Sequence, residues 1–288
     1  MKIAFYAPFK PLGHPHPSGD LVIAAGLHQY LAGRGHEIRI VSTLRARWIY
    51  WRPRQWPALI REYRRGVRQL ARWRPDLWMT YHTYYKAPDL LGPDLSRRMG
   101  IPYLIFQGIY STKRRKRWHT RPGFYLNRRA LCSARHVFSN RSLDLENLRR
   151  ILPKDRLTHV PPGIRPADFR FDIHARQELR RFWKTGDAPV ILSAAMFRPD
   201  VKSRGLDWTI RSCGRLLRKG AFFYLVIAGE GKERERLERL AEIHLPGRCR
   251  FVGKIPRDRM YRFYSAGDLF VFPGIRESLG MVRSEERR

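Results

Sequence analysis

No run of about 18 apolar residues occurs in this sequence, so a hydrophobic transmembrane helix is not expected. Cysteine is scarce: Cys132, Cys213 and Cys249 are odd in number and lack metal-ligand spacing, which fits reduced thiols in a cytoplasmic protein. The opening Met1–Pro8 is too short and too aromatic for a signal peptide and reads as a first strand. His14 and His16 stand between prolines without a third ligand, so no metal site is expected there. Internal repeats and low-complexity linkers are absent. Acids are the last shortage: 25 Asp and Glu face 58 Lys and Arg, a formal charge of +33. A field of that size favours anionic partners such as nucleic acid, an anionic membrane surface or phosphorylated substrates. The plain alternative is arginine filling solvated faces.

What is present is a foldable chain. With 43% hydrophobic residues over 288 positions, two ordinary domains are expected. After the first strand comes the loop Phe9–Asp20, then helical spacing over Leu21–Ala32 and an alternating strand over Glu37–Thr43. A strand, a glycine loop and a helix N-terminus together form a ready anion site, because the first helical amides have no partners within the helix. Gly19 lies at that point, with Ser18 or Asp20 as the expected N-cap.

The segment Arg45–Pro75 holds ten arginines, one acid (Glu62) and four tryptophans. Leu59, Ile60, Tyr63, Val67, Leu70 and Trp73 recur at helical intervals, which predicts an amphipathic helix over at least Ala58–Arg72. Its apolar face suits either an anionic membrane interface or the inner side of a domain helix. Nothing in it resembles an RNA or DNA module. Asp76–His82 reads as the next strand and leaves His82 at its end, before a loop over Thr83–Pro93 rich in Tyr and Pro. Lys113–Arg117 with Trp118 forms a second basic and aromatic patch. His136–Asn140 is expected as a strand, followed by an N-cap in Ser142–Asp144 and a helix over Leu145–Leu152. Pro161–Pro162–Gly163 is the best linker by composition and predicts domains over 1–163 and 164–288.

In the second half, Phe171–Trp183, Leu206–Leu217, Lys232–Ala241 and Asp258–Ala266 read as helices. The apolar runs Val190–Phe197, Phe222–Ala228, Arg250–Gly253 and Leu269–Phe272 read as buried parallel strands. Three of them run into polar punctuation: Arg198 and Lys202, then Gly229–Glu230–Gly231, then Glu277 with Gly280. Ligands of open α/β sheets bind beyond strand carboxyl ends, so cations, glycine-exposed amides and an acid gather where phosphates and hydroxyls would sit.

That order of residues, with Phe251–Gly253 and Asp268–Pro273 between, resembles the donor half of family-4 glycosyltransferases, and the resemblance covers almost the whole chain. It implies an α/β fold of two Rossmann-like doubly wound domains facing a cleft (the B-type architecture), an acceptor-side domain first and a nucleotide-sugar donor domain second. It implies a retaining transferase moving a sugar from a nucleotide-diphosphate sugar to a glycan or lipid-linked acceptor in cell-surface polysaccharide synthesis, at the cytoplasmic face of a membrane. No metal or other cofactor is implied, since cations and amides do the charge compensation. The implied donor contacts are Gly19, Arg198, Lys202, Gly229, Gly231, Gly253, Lys254, Glu277, Ser278, Leu279 and Gly280. Glu285 stands eight residues after Glu277, formally at the family's paired acid, among six polar residues. His82 and Asp20 are the candidate catalytic side chains, while Gln107 stands where the family often carries a second histidine. Because the family continues beyond this point, the second domain is expected to be incomplete and the chain to lack transfer activity. The rival from another class is a non-catalytic basic protein that associates with anionic membrane or nucleic acid.

Overall fold

The computed structural model describes residues 1–15, 19–161, 163–272 and 274–275, and divides them into two compact units, Met1–Pro162 and Gly163–Arg288. In chain order the first unit contains β1 (Lys2–Tyr6), α1 (Gly19–Gly33), β2 (Glu37–Ser42), α2 (Trp56–Trp73), β3 (Leu77–Thr83) and α3 (Gly92–Met99). It continues with β4 (Tyr103–Gly108), α4 (Arg121–Ser133), β5 (His136–Ser139), α5 (Ser142–Leu148) and β6 (Leu157–His159). Its six strands pair in parallel in the order β2-β1-β3-β4-β5-β6. The order reverses between β1 and β3, which makes their carboxyl ends the place where the flanking loops part and a crevice opens.

The sheet is central and covered on both sides, so β3 reads as a continuous buried run rather than an alternation. One core gathers Trp78, Tyr103, Ile105 and Leu131 with Leu70 and Trp73 of α2, while the other gathers Ile3, Phe5, Met79 and Tyr81 under α1. Leu59, Tyr63 and Val67 pack on the first of these cores. The apolar stripe of α2 therefore faces its own sheet, and of the two uses open to it the packed one is realised. Gly66 lets α2 approach α3: a Cβ there would lie 2.8 Å from a methyl of Leu95.

A buried carboxylate organises the entry to α3. Asp89 Oδ1 accepts from the amides of Leu91 and Gly92, at 2.9 and 2.8 Å, satisfying two donors that the first helical turn leaves open. Its Oδ2 accepts from the hydroxyls of Thr80 and Tyr103, at 2.5 and 2.8 Å. Burial pushes the Asp89 carboxyl above its ordinary value, with these four donors opposing the shift.

The second unit contains α6 (Ile173–Trp183), β7 (Val190–Ala194), α7 (Val201–Arg218), β8 (Tyr224–Ala228), α8 (Arg234–His244), β9 (Cys249–Phe251), α9 (Met260–Ala266) and β10 (Leu269–Phe270). Its parallel sheet has the order β10-β7-β8-β9, so the reversal falls between β7 and β10. Asp268 secures the short edge strand β10: it pairs with Arg176 at 2.5 Å and with the buried Arg180, and accepts from the Val190 amide at 2.7 Å. Arg180 also donates to the Ala266, Gly186 and Ala188 carbonyls, so α6, β7 and β10 are tied through one guanidinium.

Two expected details are corrected. The helix after β5 starts at Ser142 with Arg141 as its cap residue, and ends at Leu148. Asp144 caps nothing, because its side chain turns inward to Gln107 and Arg141. Asp20 is likewise no N-cap: it sits in the first turn of α1 and its carboxylate faces His82, while Ser18 lies outside the described residues. The three cysteines are unpaired; burial pushes the Cys213 thiol up to about 11 and that of Cys249 up to about 12, leaving Cys132 as the exposed one.

Candidate active site

Each unit places its polar residues where its own strand order reverses. In the first unit, β3 and β4 end side by side in two left-handed residues, His82 (φ 59°) and Gln107 (φ 69°), between the pairs Tyr81–Phe106 and Thr83–Gly108. Positive φ outside glycine is uncommon and clusters at functional sites. Here it re-aims both side chains. The His82 ring is buried, with Phe9 and Tyr84 at centroid distances of 5.2 and 5.1 Å. Its Nδ1 stands 2.9 Å from Asp20 Oδ1, at ion-pair distance rather than in a well-directed hydrogen bond. Its Nε2 has no hydrogen-bond partner among the described residues. Burial pulls the Asp20 carboxyl upward, but its contact with His82, the His82 charge and Lys10 hold it below the ordinary value.

Gln107 does not stand ready for a ligand. Its Oε1 accepts from the Asn140 amide at 2.8 Å and its Nε2 donates to Asp144 at 3.3 Å, so it fastens β4 to the segment after β5. The Asn140 side chain beside it is 3% exposed, and neither its Oδ1 nor its Nδ2 finds a partner among the described residues. A buried amide without partners costs on the order of 1–3 kcal/mol, which singles this side chain out beside His82. The sequence signal for Asn140 was its place just past a strand, the same signal that marked His82.

In the second unit, a small crevice of about 10 Å³ among the described residues lies at the carboxyl ends of β7 and β10, lined by Ser193, Ala194, Ala195, Phe272 and Gly274. Lys202 lines it from the first turn of α7, whose N-cap Asp200 accepts from the Lys202 amide at 2.8 Å. Arg198 is exposed on the loop from β7 to that helix. The loops behind are laced together: the Phe197 amide donates to the Glu230 carbonyl at 2.9 Å, and the Gly229 amide to the Gly253 carbonyl at 2.8 Å. The expectation of a free Gly229 amide is thus corrected, since that donor is used internally. Gly229 (φ +144°) and Gly231 (φ +149°) are needed for shape: a Cβ on them would lie 1.8 Å from the Ala195 carbonyl oxygen and 2.3 Å from that of Phe197. Gly253 (φ +74°) turns the next loop, with Lys254 exposed beside it. Gly19 opens α1 in the first unit, not here. Glu277, Ser278, Leu279, Gly280 and Glu285 lie outside the described residues.

Two doubly wound units, each with a polar cluster at its reversal point, define the B-type glycosyltransferase fold. Solved structures agree: HepE from Anabaena, in complex with UDP, superposes with a TM-score of 0.64 at 13% identity, over 94% of this chain and 73% of that one. WaaG, a glycosyltransferase involved in lipopolysaccharide biosynthesis, gives 0.63 at 16% identity, over 98% and 78%. Residues 175–286, about two fifths of the chain, match the family Glycosyl transferases group 1. A GDP-mannose-dependent α-(1-6)-phosphatidylinositol monomannoside mannosyltransferase of Mycolicibacterium smegmatis is 30% identical over 122 residues, 42% of this chain and 31% of the relative. The matched part thus spans about a third of that relative's length.

Proposed function

We propose that this chain is a retaining glycosyltransferase that takes a sugar from a nucleotide-diphosphate sugar and passes it to a glycan or lipid-linked acceptor in cell-surface polysaccharide synthesis. The observation that carries the reading is the cleft of the second unit, where Lys202 on the first turn of α7 meets the open end of β7 and β10. As the bond to the sugar breaks, negative charge accumulates on the departing diphosphate, and groups aimed at that charge lower the barrier. Arg198 and Lys202 supply a planar fork and a point charge for it, beside a helix N-terminus of matching polarity. The reading gives this work to side chains and leaves no step to a metal. The first unit is assigned the acceptor: His82 Nε2 and the Asn140 amide have no hydrogen-bond partner among the described residues and suit sugar hydroxyls, with Asp20 orienting the His82 ring. The UDP held by HepE and the GDP-mannose dependence of the mycobacterial relative support a nucleotide-sugar donor.

Calorimetry with a sugar nucleotide or nucleoside diphosphate tests the donor assignment. Arg198→Ala and Lys202→Ala are each expected to weaken binding by about 1.5–3 kcal/mol, the range for charge-assisted hydrogen bonds. Unchanged affinity in both variants sinks it.

The same reading places the enzyme on the cytoplasmic face of an anionic membrane. No helix among the described residues is long and apolar enough to cross a membrane. What α2 and its approach offer is an arginine face with exposed Trp51, Trp56 and Ile60, since the other face is spent on the core. Attraction of about 1 kcal/mol per basic residue near the surface predicts co-sedimentation with anionic vesicles that salt reverses. Equal sedimentation with neutral vesicles counts against it.

A further inference from the structure

The helix α2 runs antiparallel to the strands it covers: Glu62 in its first half accepts from Ser42 at the carboxyl end of β2, and its last residue Trp73 donates to Glu37 at the amino end. Beside the stripe that packs inward lies a second one, Arg65, Arg68, Gln69 and Arg72, spaced for one helix face. Arg39 of the edge strand β2 and Lys2 of β1 stand across from it, with Trp73 between. Together they line a cavity of about 550 Å³, within the range of small-molecule sites. It lies towards the amino ends of β1 and β2, whereas His82 lies at the carboxyl end of the same sheet.

Five of its seven lining residues are cations and none is an acid. Two nearby carboxylates sit on its rim, and each pairs with one of the lining arginines. Glu37 pairs with Arg39 at 2.7 Å and takes the Trp73 indole N–H at 2.9 Å. Glu62 pairs with Arg65 at 2.7 Å, and Asp76 accepts from the Lys2 backbone amide at 2.7 Å. Arg68 and Arg72 pair with no carboxylate among the described residues. Two of the guanidiniums are held in place: Arg39 lies over the Trp73 ring at 4.8 Å, and Arg65 also donates to the Val41 carbonyl at 2.9 Å. Like charges gathered around an open cavity repel one another, and an anion inside removes that cost. Guanidinium forks match phosphate oxygens in pairs, and several forks around one volume suit more than one phosphate.

We propose that this cavity is a second anion site, distinct from the donor cleft, which binds a ligand carrying two or more phosphate charges. The proposal does not rest on the transferase reading, because it uses none of the residues assigned to donor or acceptor. The phosphates come either from a small soluble compound or from phospholipid headgroups at a membrane surface, and the test separates these sources.

The full chain is titrated with inorganic pyrophosphate and, in parallel, with vesicles of phosphatidylcholine containing or lacking phosphatidic acid. The Arg68→Gln/Arg72→Gln variant is compared with Arg181→Gln/Arg218→Gln, which removes the same charge from exposed positions of the second unit. Melting curves establish that both variants fold. The cavity variant is expected to bind pyrophosphate at least tenfold more weakly than the native chain, with the control within twofold. Loss of phosphatidic-acid binding in the cavity variant alone, with pyrophosphate unbound by every form, also supports the site and identifies the lipid headgroup as its source. Equal changes in the two variants, or none in either, show a general charge effect and overturn the proposal.

Discussion

Replacing Asp89 by alanine is expected to destabilise the first unit by about 3 kcal/mol or more, since each buried donor left without its acceptor costs about 1–3 kcal/mol. The carboxylate accepts four hydrogen bonds from Leu91, Gly92, Thr80 and Tyr103, and the Trp78 indole joins the same network by donating to Thr80 at 2.8 Å. Removing it leaves two helical amides and two hydroxyls buried without their acceptor, and α3 without the group that starts it. A Cβ on Gly92 would lie 2.2 Å from the Asp89 carboxylate and 2.7 Å from the Trp78 indole nitrogen, so the native network is closely packed against the helix backbone. Chemical denaturation followed by the far-ultraviolet signal measures the loss. Asp89→Asn keeps the shape and one acceptor and should cost clearly less. Equal costs for the two variants would mean that neither the retained shape nor the one retained acceptor contributes anything. The pH dependence has a definite sign as well. The folded-state carboxyl is raised above its unfolded value, so the stability it contributes is fully present below the unfolded range near 4 and declines as pH rises through the higher folded value.

The second large effect belongs to Asp268→Ala, expected to cost about 3 kcal/mol in the second unit. Arg180 is only 9% exposed, and without Asp268 its charge stays buried with carbonyl partners alone. Asp268 has the opposite pH sign. Burial raises its carboxyl, but the bonds from Arg176 and the Val190 amide and the charges of Arg180 and Arg176 outweigh this and lower it. Its contribution is therefore present above the unfolded value near 4 and is lost as pH falls through the lowered folded one. Thermal unfolding of the native chain and the variant at neutral pH and again below pH 4 checks both statements. The gap between them should shrink in acid; a gap that is constant with pH removes Asp268 as the cause. Since β10 has only two residues and Phe272 and Gly274 just beyond it line the crevice of the second unit, loosening Asp268 should reach that crevice as well.

These two carboxylates show what a sequence can and cannot disclose. Asp268 was visible as the start of an apolar run with a family pattern, yet its work is to hold two arginines from α6, about ninety positions earlier in the chain. Asp89 was hidden in a loop rich in Tyr and Pro, because burial there depends on Trp78 and Tyr103 closing over it. Strands and helices were legible wherever apolar spacing reports the layer directly, as in β3 and α2. The periodicity of α2 could not say which apolar surface it would meet, since a membrane and a sheet ask for the same stripe. His82 was legible as a polar residue at the end of a buried strand. Its pairing with Asp20 was not, because the pair forms only where the first loop returns beside β3 at the reversal of strand order. Asn140 was overlooked for a related reason. Ser142 and Asp144 look like a helix cap in one dimension, and only the packing of β4 against β5 turns Asp144 inward and buries the Asn140 side chain. The basic cavity beside α2 draws on residues 2, 39 and 65–73 from three separate elements, a combination with no linear signature.

The crowding at Gly229 and Gly231 also bears on how this protein can change over generations. Every substitution there introduces a Cβ inside van der Waals contact with a carbonyl of the neighbouring loop, at a backbone angle that side chains rarely adopt. Both positions are closed to drift, and the lacing to Phe197 and Gly253 fixes the path of the chain between them. Glu230 and Lys232, by contrast, are exposed. Any divergence in what this loop presents to a ligand must therefore be written in those two side chains, on a backbone that cannot follow them.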